Sequence, residues 1–139
     1  MSTDKTLADA RRISQMLIDA ADLSKDVFAN IANELNVPVQ LARALCLLEK
    51  AAPMTELATK LACDKSYITP LADQLEALGL INRVPGADRR TKLLQLTPKG
   101  EQLREQLGAK VASFSPVTVA LSADERAVFE LMLQKVLNG

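Results

Sequence analysis

The chain has 139 residues, of which 17 are basic and 17 are acidic, so its formal net charge is zero. This balance excludes a uniformly basic nucleic-acid-binding protein, although it allows a local basic patch. With 48% hydrophobic residues, five Gly and six Pro, the composition indicates an ordered, helix-rich domain. The scarcity of aromatic residues argues against a surface that stacks single-stranded bases.

The absence of histidine removes the commonest general base and a common metal ligand, so we do not expect an enzyme. Two cysteines, Cys46 and Cys63, lack CxxC spacing and cannot complete a four-thiolate metal site. The first residues lack the apolar core of a signal peptide, and no apolar run reaches the roughly 18 residues of a membrane span. We therefore expect a soluble, cytoplasmic protein without membrane association, metal or cofactor.

Apolar residues at helical spacing predict four helices in the first part of the chain. They recur every three or four positions over residues 6–35, and a second helix is predicted to end near residue 50. Two shorter helices follow, over residues 54–61 and 66–78, with a tight connection between them.

The helix predicted over residues 66–78 has signals at both ends. Ser66 as its N-cap would place Pro70 in the first turn, where the missing N–H costs least. Gly79 follows the last turn at the position of a left-handed cap, with apolar residues beyond it that can pack back. Three leucines of this helix are predicted to face the core: Leu71, Leu75 and Leu78.

A β-hairpin is predicted after this helix. Short strands over residues 81–85 and 91–96 flank a Gly-Ala-Asp-Arg loop of turn-forming residues. Residues 83–100 contain five basic residues against Asp88 alone. The positive charge of a neutral protein is therefore concentrated on this ribbon.

Two further helices are predicted at the end of the chain. Thr97 and Pro98 are typical of an N-cap and a first helical residue, and that helix must end before Pro116. Ser122 with Glu125 three positions later forms a capping box for the last helix. Because the last helix is apolar on more than one side, a second copy of the chain is its simplest partner.

The order of helix, short connection, helix and two-stranded ribbon is that of a winged helix-turn-helix. Residues 53–100 carry specific motifs: ELA on the first helix, S-x-x-T and D-x-L-E-x-x-G-L on the second, A-D-R-R in the wing, and L-x-L-T-x-x-G after it. These motifs resemble the DNA-binding core of the MarR (multiple antibiotic resistance regulator) family. The expected fold class is mainly α with a small β-wing, with dimerisation helices on either side.

The resemblance implies a single MarR-like domain over residues 1–139. Residues 1–37 and 101–139 would supply the dimerisation helices, and residues 53–100 the winged helix-turn-helix. It implies a homodimeric transcription factor, usually a repressor, that binds a short pseudo-palindrome in double-stranded DNA. A small ligand or cysteine oxidation would release it, and a small aromatic or phenolic molecule is the effector class to consider.

Two groups of residues are candidates for DNA contact under this interpretation. Those of the recognition helix are Lys65, Ser66, Tyr67, Thr69 and Gln74. Those of the wing are Arg83, Asp88, Arg89, Arg90 and Lys92. Since Asp88 and Arg90 project to one side of an extended segment, Asp88 is expected to orient the Arg90 guanidinium for a minor groove. Arg89 points elsewhere, toward a phosphate.

Two alternatives remain open at this point: a winged-helix module that binds proteins instead of DNA, and a regulator that senses oxidants through a cysteine. Cys46 lies on an apolar helix face, where a free thiol is usually inert. Cys63 lies in the connection before the recognition helix and is the better candidate for a sensor. MarR-like oxidant sensors mostly carry their cysteine near the start of the first helix, where this chain has none.

Overall fold

A computed structural model describes residues 3–88 and 90–139. Its helices and strands in chain order are α1 (Thr3–Glu34), α2 (Val39–Leu47), β1 (Ala52–Pro53), α3 (Met54–Leu61), α4 (Lys65–Ala77), β2 (Ile81–Pro85), β3 (Lys92–Leu96), α5 (Pro98–Phe114), α6 (Pro116–Ala120) and α7 (Ala123–Asn138). The chain divides into two compact units: the helical unit, residues 1–30 with 112–139, and the winged unit, residues 31–111. None of the described helices combines the length and hydrophobicity that a membrane crossing requires.

The winged unit contains a three-stranded antiparallel sheet in the order β1-β3-β2. The predicted hairpin is confirmed: β2 and β3 pair from Ile81 opposite Leu96 to Pro85 opposite Lys92. β1 adds a short outer strand in which Ala52 lies opposite Leu94. β1 was not predicted from the sequence, because a strand of two residues is too short to show an alternating pattern.

The hydrophobic core lies in the winged unit, which holds every buried apolar residue of the described ranges. Its largest fully buried side chains are Leu41, Leu45, Leu48, Leu57, Ile68, Leu75, Ile81, Leu94 and Leu107. Burying one such side chain contributes about 1.5–3 kcal/mol. No polar or charged residue of the described ranges is buried, so the polar side chains of α4 and the wing lie at the surface.

The helical unit has a different character. None of its described residues, 3–30 and 112–139, is buried. It exposes a set of large apolar side chains instead: Leu7, Ile13, Met16, Leu17, Ile18, Leu23, Phe114, Val119, Val128, Leu131, Met132, Val136 and Leu137. The broad apolar surface predicted for the last helix is therefore confirmed, and it extends to α1.

The start of α4 differs from the prediction. The helix begins at Lys65 with Asp64 as N-cap, and no side-chain hydrogen bond caps it. The Asp64 carbonyl accepts from the N–H groups of Tyr67 and Ile68, at 3.0 and 3.2 Å. Ser66 is therefore not the N-cap, and Pro70 lies in the second turn. Pro70 is tolerated there because it lies on the exposed face of the helix. Its missing N–H leaves the carbonyl four positions earlier without a donor, and water can take that place.

The backbone at the end of α4 has the predicted left-handed cap, but one side chain predicted to be buried is exposed. Gly79 adopts a left-handed conformation with φ +74°, and the N–H of Leu80 returns to the Leu75 carbonyl at 2.9 Å. These two features form a Schellman motif. Leu78 was predicted in the core, but it is 46% exposed. It is the C-cap residue, so the helix ends before a neighbouring element covers its side chain.

The other predicted helix starts are confirmed. The Thr97 hydroxyl accepts from the Gly100 N–H at 3.0 Å, and α5 begins at Pro98. Ser122 and Glu125 form the reciprocal bonds of a capping box at the start of α7. The structure adds one helix that was not predicted, α6, which is five residues long.

Candidate DNA interface

The helix α4 is held by one apolar face and presents the opposite face to solvent. Its buried residues, Ile68, Leu71, Ala72 and Leu75, recur at the spacing of a helix stripe. The opposite face carries Ser66, Pro70, Asp73 and Ala77, all of them exposed. An α-helix with its side chains is about 10–12 Å wide, which matches the width of a B-DNA major groove.

The five residues predicted for DNA contact on α4 are all exposed. Tyr67 is 46% exposed although it is aromatic. The Thr69 hydroxyl donates to the Lys65 carbonyl at 3.3 Å, within the helix. Across residues 3–88 and 90–139, the side chains of Lys65, Ser66 and Gln74 form no hydrogen bond or ion pair, so their polar groups are available to a partner.

The wing tip is a tight turn closed by main-chain hydrogen bonds. The Gly86 N–H donates to the Thr91 carbonyl at 2.8 Å, and the Thr91 N–H donates to the Asp88 carbonyl at 3.0 Å. A Cβ atom at Gly86 would lie 3.0 Å from that Thr91 oxygen, so glycine suits the close approach. The turn exposes Arg90 and Lys92, whereas Arg89 lies outside the described residues.

The contact between Asp88 and Arg90 differs from the expected one. The Asp88 Oδ1 atom accepts from the main-chain N–H of Arg90 at 3.1 Å, which is the geometry of an Asx-turn. No ion pair between described residues joins the Asp88 carboxylate to the Arg90 guanidinium. Asp88 therefore shapes the backbone that carries Arg90, and it leaves the guanidinium in solvent.

Arg83 was expected to contact DNA, and the structure gives it other partners. Its Nη2 atom lies 2.6 Å from an Asp73 oxygen and its Nη1 atom lies 3.1 Å from a Glu76 oxygen. Hydrogen bonding to Asp73 and the charges of both carboxylates raise the pKa of the Arg83 side chain above its usual value. Its side chain is 27% exposed. Arg83 is therefore bound to the helix α4 and is not a free cation of the wing.

Two residues outside the predicted set join the end of α4 to the start of α5. The Lys99 ammonium donates to the Leu78 carbonyl at 2.9 Å, and the Thr97 hydroxyl donates to the Gly79 carbonyl at 2.6 Å. Both bonds stabilise the carbonyl end of α4, where cations and donors are favoured. The helix-start signal at Thr97 was visible in the sequence, but the partner carbonyls, about 20 positions upstream, had no local signal.

The two cysteines lie in different surroundings. Burial raises the pKa of the Cys46 thiol, and Arg104 opposes that effect only in part. Cys63 is partly exposed and lies between α3 and α4, as predicted. Across the described part of the chain, no three His, Cys, Asp or Glu side chains are placed to hold a metal ion.

A cleft of about 340 Å³ lies in the winged unit beside the end of α4. Its lining consists of Leu35, Asn36, Val37, Leu78, Leu80, Lys99, Gln102, Leu103 and Gln106. Lys99 is the charged member of this lining, and its ammonium donates to the Leu78 carbonyl. The size falls in the range of about 300–1,000 Å³ that small-ligand sites occupy.

Comparisons with known proteins agree with this geometry. The MarR family model matches residues 40–92. The multiple antibiotic resistance protein MarR of Escherichia coli is 32% identical over 127 residues, covering 87% of this chain and 88% of that protein. A MarR family protein from Bacillus stearothermophilus has a structure with a TM-score of 0.74 and 26% identity, covering 99% of this chain and 97% of that one.

Several structural neighbours contain DNA. A MarR variant from Escherichia coli in complex with operator DNA has a TM-score of 0.70 and 24% identity, covering 99% of both chains. This likeness concerns the fold. Other relatives are named as transcriptional regulators, among them MgrA of Staphylococcus aureus, which is 32% identical over 109 residues and covers 76% of this chain and 71% of that protein.

Proposed function

Because this chain belongs to the MarR family of transcriptional regulators, we propose that it represses transcription as a homodimer bound to a short pseudo-palindromic operator in double-stranded DNA. The observation that carries the proposal is the exposed face of α4 beside a basic wing. The operator complex of a MarR variant with the same fold supports it.

In the proposed complex, α4 enters the major groove and the wing tip reaches the adjacent minor groove. Lys65, Ser66 and Thr69 lie toward phosphates at the start of α4, where the helix dipole favours anions. Tyr67 and Gln74 read base edges. Arg90 enters the minor groove, where a narrow groove attracts a guanidinium, and the remaining wing cations, Arg89 and Lys92, lie against phosphates.

The proposed dimer is held by the apolar surface of the helical unit. A domain cannot leave so many large apolar side chains in water at no cost, and a second copy of the same surface is a self-complementary partner. Residues 1–37 and 101–139 would supply the dimer contacts and residues 53–100 the DNA contacts, within one functional domain. The two copies of α4 would then lie about 34 Å apart, one helical turn of DNA.

The dimer has its own test. Leu131 is 62% exposed on α7, so Leu131→Asp adds a charge without disturbing the core of the winged unit. We expect sedimentation equilibrium at micromolar concentration to give the mass of two chains for the unaltered protein and for Leu131→Met. Leu131→Asp should shift the mass toward one chain. A single-chain mass for the unaltered protein contradicts the proposed dimer.

The proposal includes release by a small molecule and no catalysis. The cleft beside α4 has the size for a small aromatic or phenolic effector, and its lining combines Leu and Val side chains with amide groups and Lys99, which would face an acidic group. Such an effector shifts the protein off DNA only by as much as it prefers the non-binding state. The chain has no histidine for acid–base chemistry, and a repressor of this kind works in the cytoplasm. A thermal-shift screen of small aromatic acids tests the effector class.

DNA binding itself is tested by selecting genomic fragments with the purified protein, mapping the protected sequence, and titrating that duplex by fluorescence anisotropy. We expect sequence-specific binding whose affinity falls steeply with salt, because each phosphate contact contributes about −0.9 to the slope of log K against log salt. Absence of binding to every fragment would contradict the proposal and favour a winged-helix module that binds proteins.

A further inference from the structure

We propose that Arg83 is a positioning residue of the DNA interface, which acts by binding and partly neutralising two carboxylates of α4, Asp73 and Glu76, and not by touching DNA. The inference rests on the proposed function, because it concerns how α4 approaches a polyanion. A basic residue of the wing would be expected to bind phosphate, whereas Arg83 would bind carboxylates of the same protomer.

The recognition helix has the wrong charge for its proposed site. Between Lys65 and Ala77 it contains one basic residue, Lys65, and two acidic residues, Asp73 and Glu76. A helix with a net charge of −1 is repelled by the phosphates that line both edges of a major groove. Since Lys65 lies at the first position of the helix, it is remote from the carboxylates in the third turn and cannot compensate them locally.

Asp73 stands on the face of α4 that is proposed to enter the groove. It follows Ser66 and Pro70 along the exposed stripe, opposite the buried face of the helix. Its side chain is 61% exposed and that of Glu76 is 43% exposed. Neither carboxylate is hidden from a bound duplex, so each needs a nearby cation if α4 is to lie in the groove without repulsion.

Arg83 supplies that cation from the neighbouring strand β2. Its two terminal nitrogens bind separate carboxylates, at 2.6 Å to Asp73 and 3.1 Å to Glu76. The planar fork of a guanidinium suits such a pair of acceptors, and it stays charged at any pH that keeps DNA intact. The same contacts hold the wing strand against the third turn of α4, so charge and orientation are set together.

The expected loss of operator affinity follows from the change in net charge and from the release of the two carboxylates. A like charge about 8–10 Å from a phosphate lowers affinity about twofold in water. Removal of Arg83 adds one net negative charge to each of two protomers, about fourfold in total, and it also frees both carboxylates of each protomer to turn toward the phosphates. We therefore expect Arg83→Gln to weaken operator binding about tenfold at low salt, with a smaller loss at high salt because salt screens exposed charges.

A double-mutant cycle separates this role from a direct contact. Operator affinity is measured by anisotropy for Arg83→Gln in the unaltered protein and in an Asp73→Asn, Glu76→Gln background. We expect the tenfold loss in the first background and about fourfold in the second, because only the charge of Arg83 is then lost and no carboxylate is released. Arg83→Lys should stay within about threefold of the unaltered protein, since it keeps the charge although it loses the fork.

Lys92→Gln is the matched control, because Lys92 is a proposed phosphate contact and should cost the same in both backgrounds. Urea unfolding of each variant reports whether the fold is intact, and Arg83→Lys keeps the test open if Arg83→Gln unfolds. Equal losses for Arg83→Gln in both backgrounds overturn the inference alone and make Arg83 a direct contact. Failure of the unaltered protein to bind DNA overturns the proposed function, and the inference with it.

Discussion

Replacing Asp88 separates two contributions of its carboxylate at the wing tip. The Oδ1 atom accepts from the Arg90 main-chain N–H at 3.1 Å, which stabilises the turn that carries Arg90. The same carboxylate places a negative charge next to DNA in the proposed complex. Asp88→Asn keeps an oxygen that can accept the bond and removes the charge, whereas Asp88→Ala removes both.

The two contributions have opposite signs and can be estimated. A hydrogen bond to a charged group is worth about 1.5–3 kcal/mol, and we take about 1 kcal/mol here because Asp88 is exposed. A carboxylate about 8 Å from a phosphate costs roughly 0.5 kcal/mol in water. Asp88→Ala should therefore weaken binding by about 0.5 kcal/mol per wing, and Asp88→Asn should strengthen it by about the same amount.

Fluorescence anisotropy on one operator duplex at two salt concentrations measures this difference. Because the dimer has two wings, the variants should differ by about 2 kcal/mol, roughly 30-fold in Kd. The gain of Asp88→Asn should shrink at high salt, while the loss of the turn in Asp88→Ala should persist. If Asp88→Ala bound the operator as tightly as Asp88→Asn or more tightly, the role of the Asx-turn would be refuted. Only an electrostatic role of Asp88 would then remain.

Three further predictions concern stability and redox behaviour. Gly100→Ala should lower the free energy of unfolding in urea by about 1–3 kcal/mol, because its Cβ would clash with the Leu80 carbonyl oxygen. An unchanged midpoint would contradict the packing. Hydrogen bonds from Ser122 lower the pKa of Glu125, so the stability gained from its charge is complete above pH 4.5 and is lost as pH falls through the lowered folded-state pKa. The free energy of unfolding of Glu125→Gln should be lower than that of the unaltered protein above pH 4.5, and this difference should disappear in acid. Peroxide should leave operator affinity unchanged, with Cys63→Ser as the control, and release by peroxide that this variant abolishes would establish the redox alternative.

Much of the local structure was predictable from the sequence, because the signals act over a few residues. The capping box at Ser122 and Glu125, the left-handed Gly79 and the start of α5 at Thr97 all appear where their local patterns placed them. Helix periodicity likewise predicted the long first helix and the apolar surface of the last one. The motifs of residues 53–100 sufficed to identify the family resemblance, since they combine residue type with fixed spacing.

The errors at α4 show where local signals compete. Both Asp64 and Ser66 are residue types that can serve as an N-cap, and the sequence alone does not determine which of them precedes the first turn of the helix. The backbone decides, because the left-handed Ala62 brings the chain into the helix at Lys65. Leu78 has the spacing of a core residue, but its burial depends on whether another element reaches the end of the helix.

The partners of Arg83 were settled only by the tertiary structure. Periodicity and charge counting placed Arg83 among the basic residues of the wing, seven and ten positions after its acidic partners. Because the two carboxylates lie on a helix and Arg83 lies on a strand, no pattern within one element predicts these pairs. The pairs form because β2 packs beside α4. An ion pair depends on distances of a few ångströms between atoms, and the packing of separate elements determines those distances.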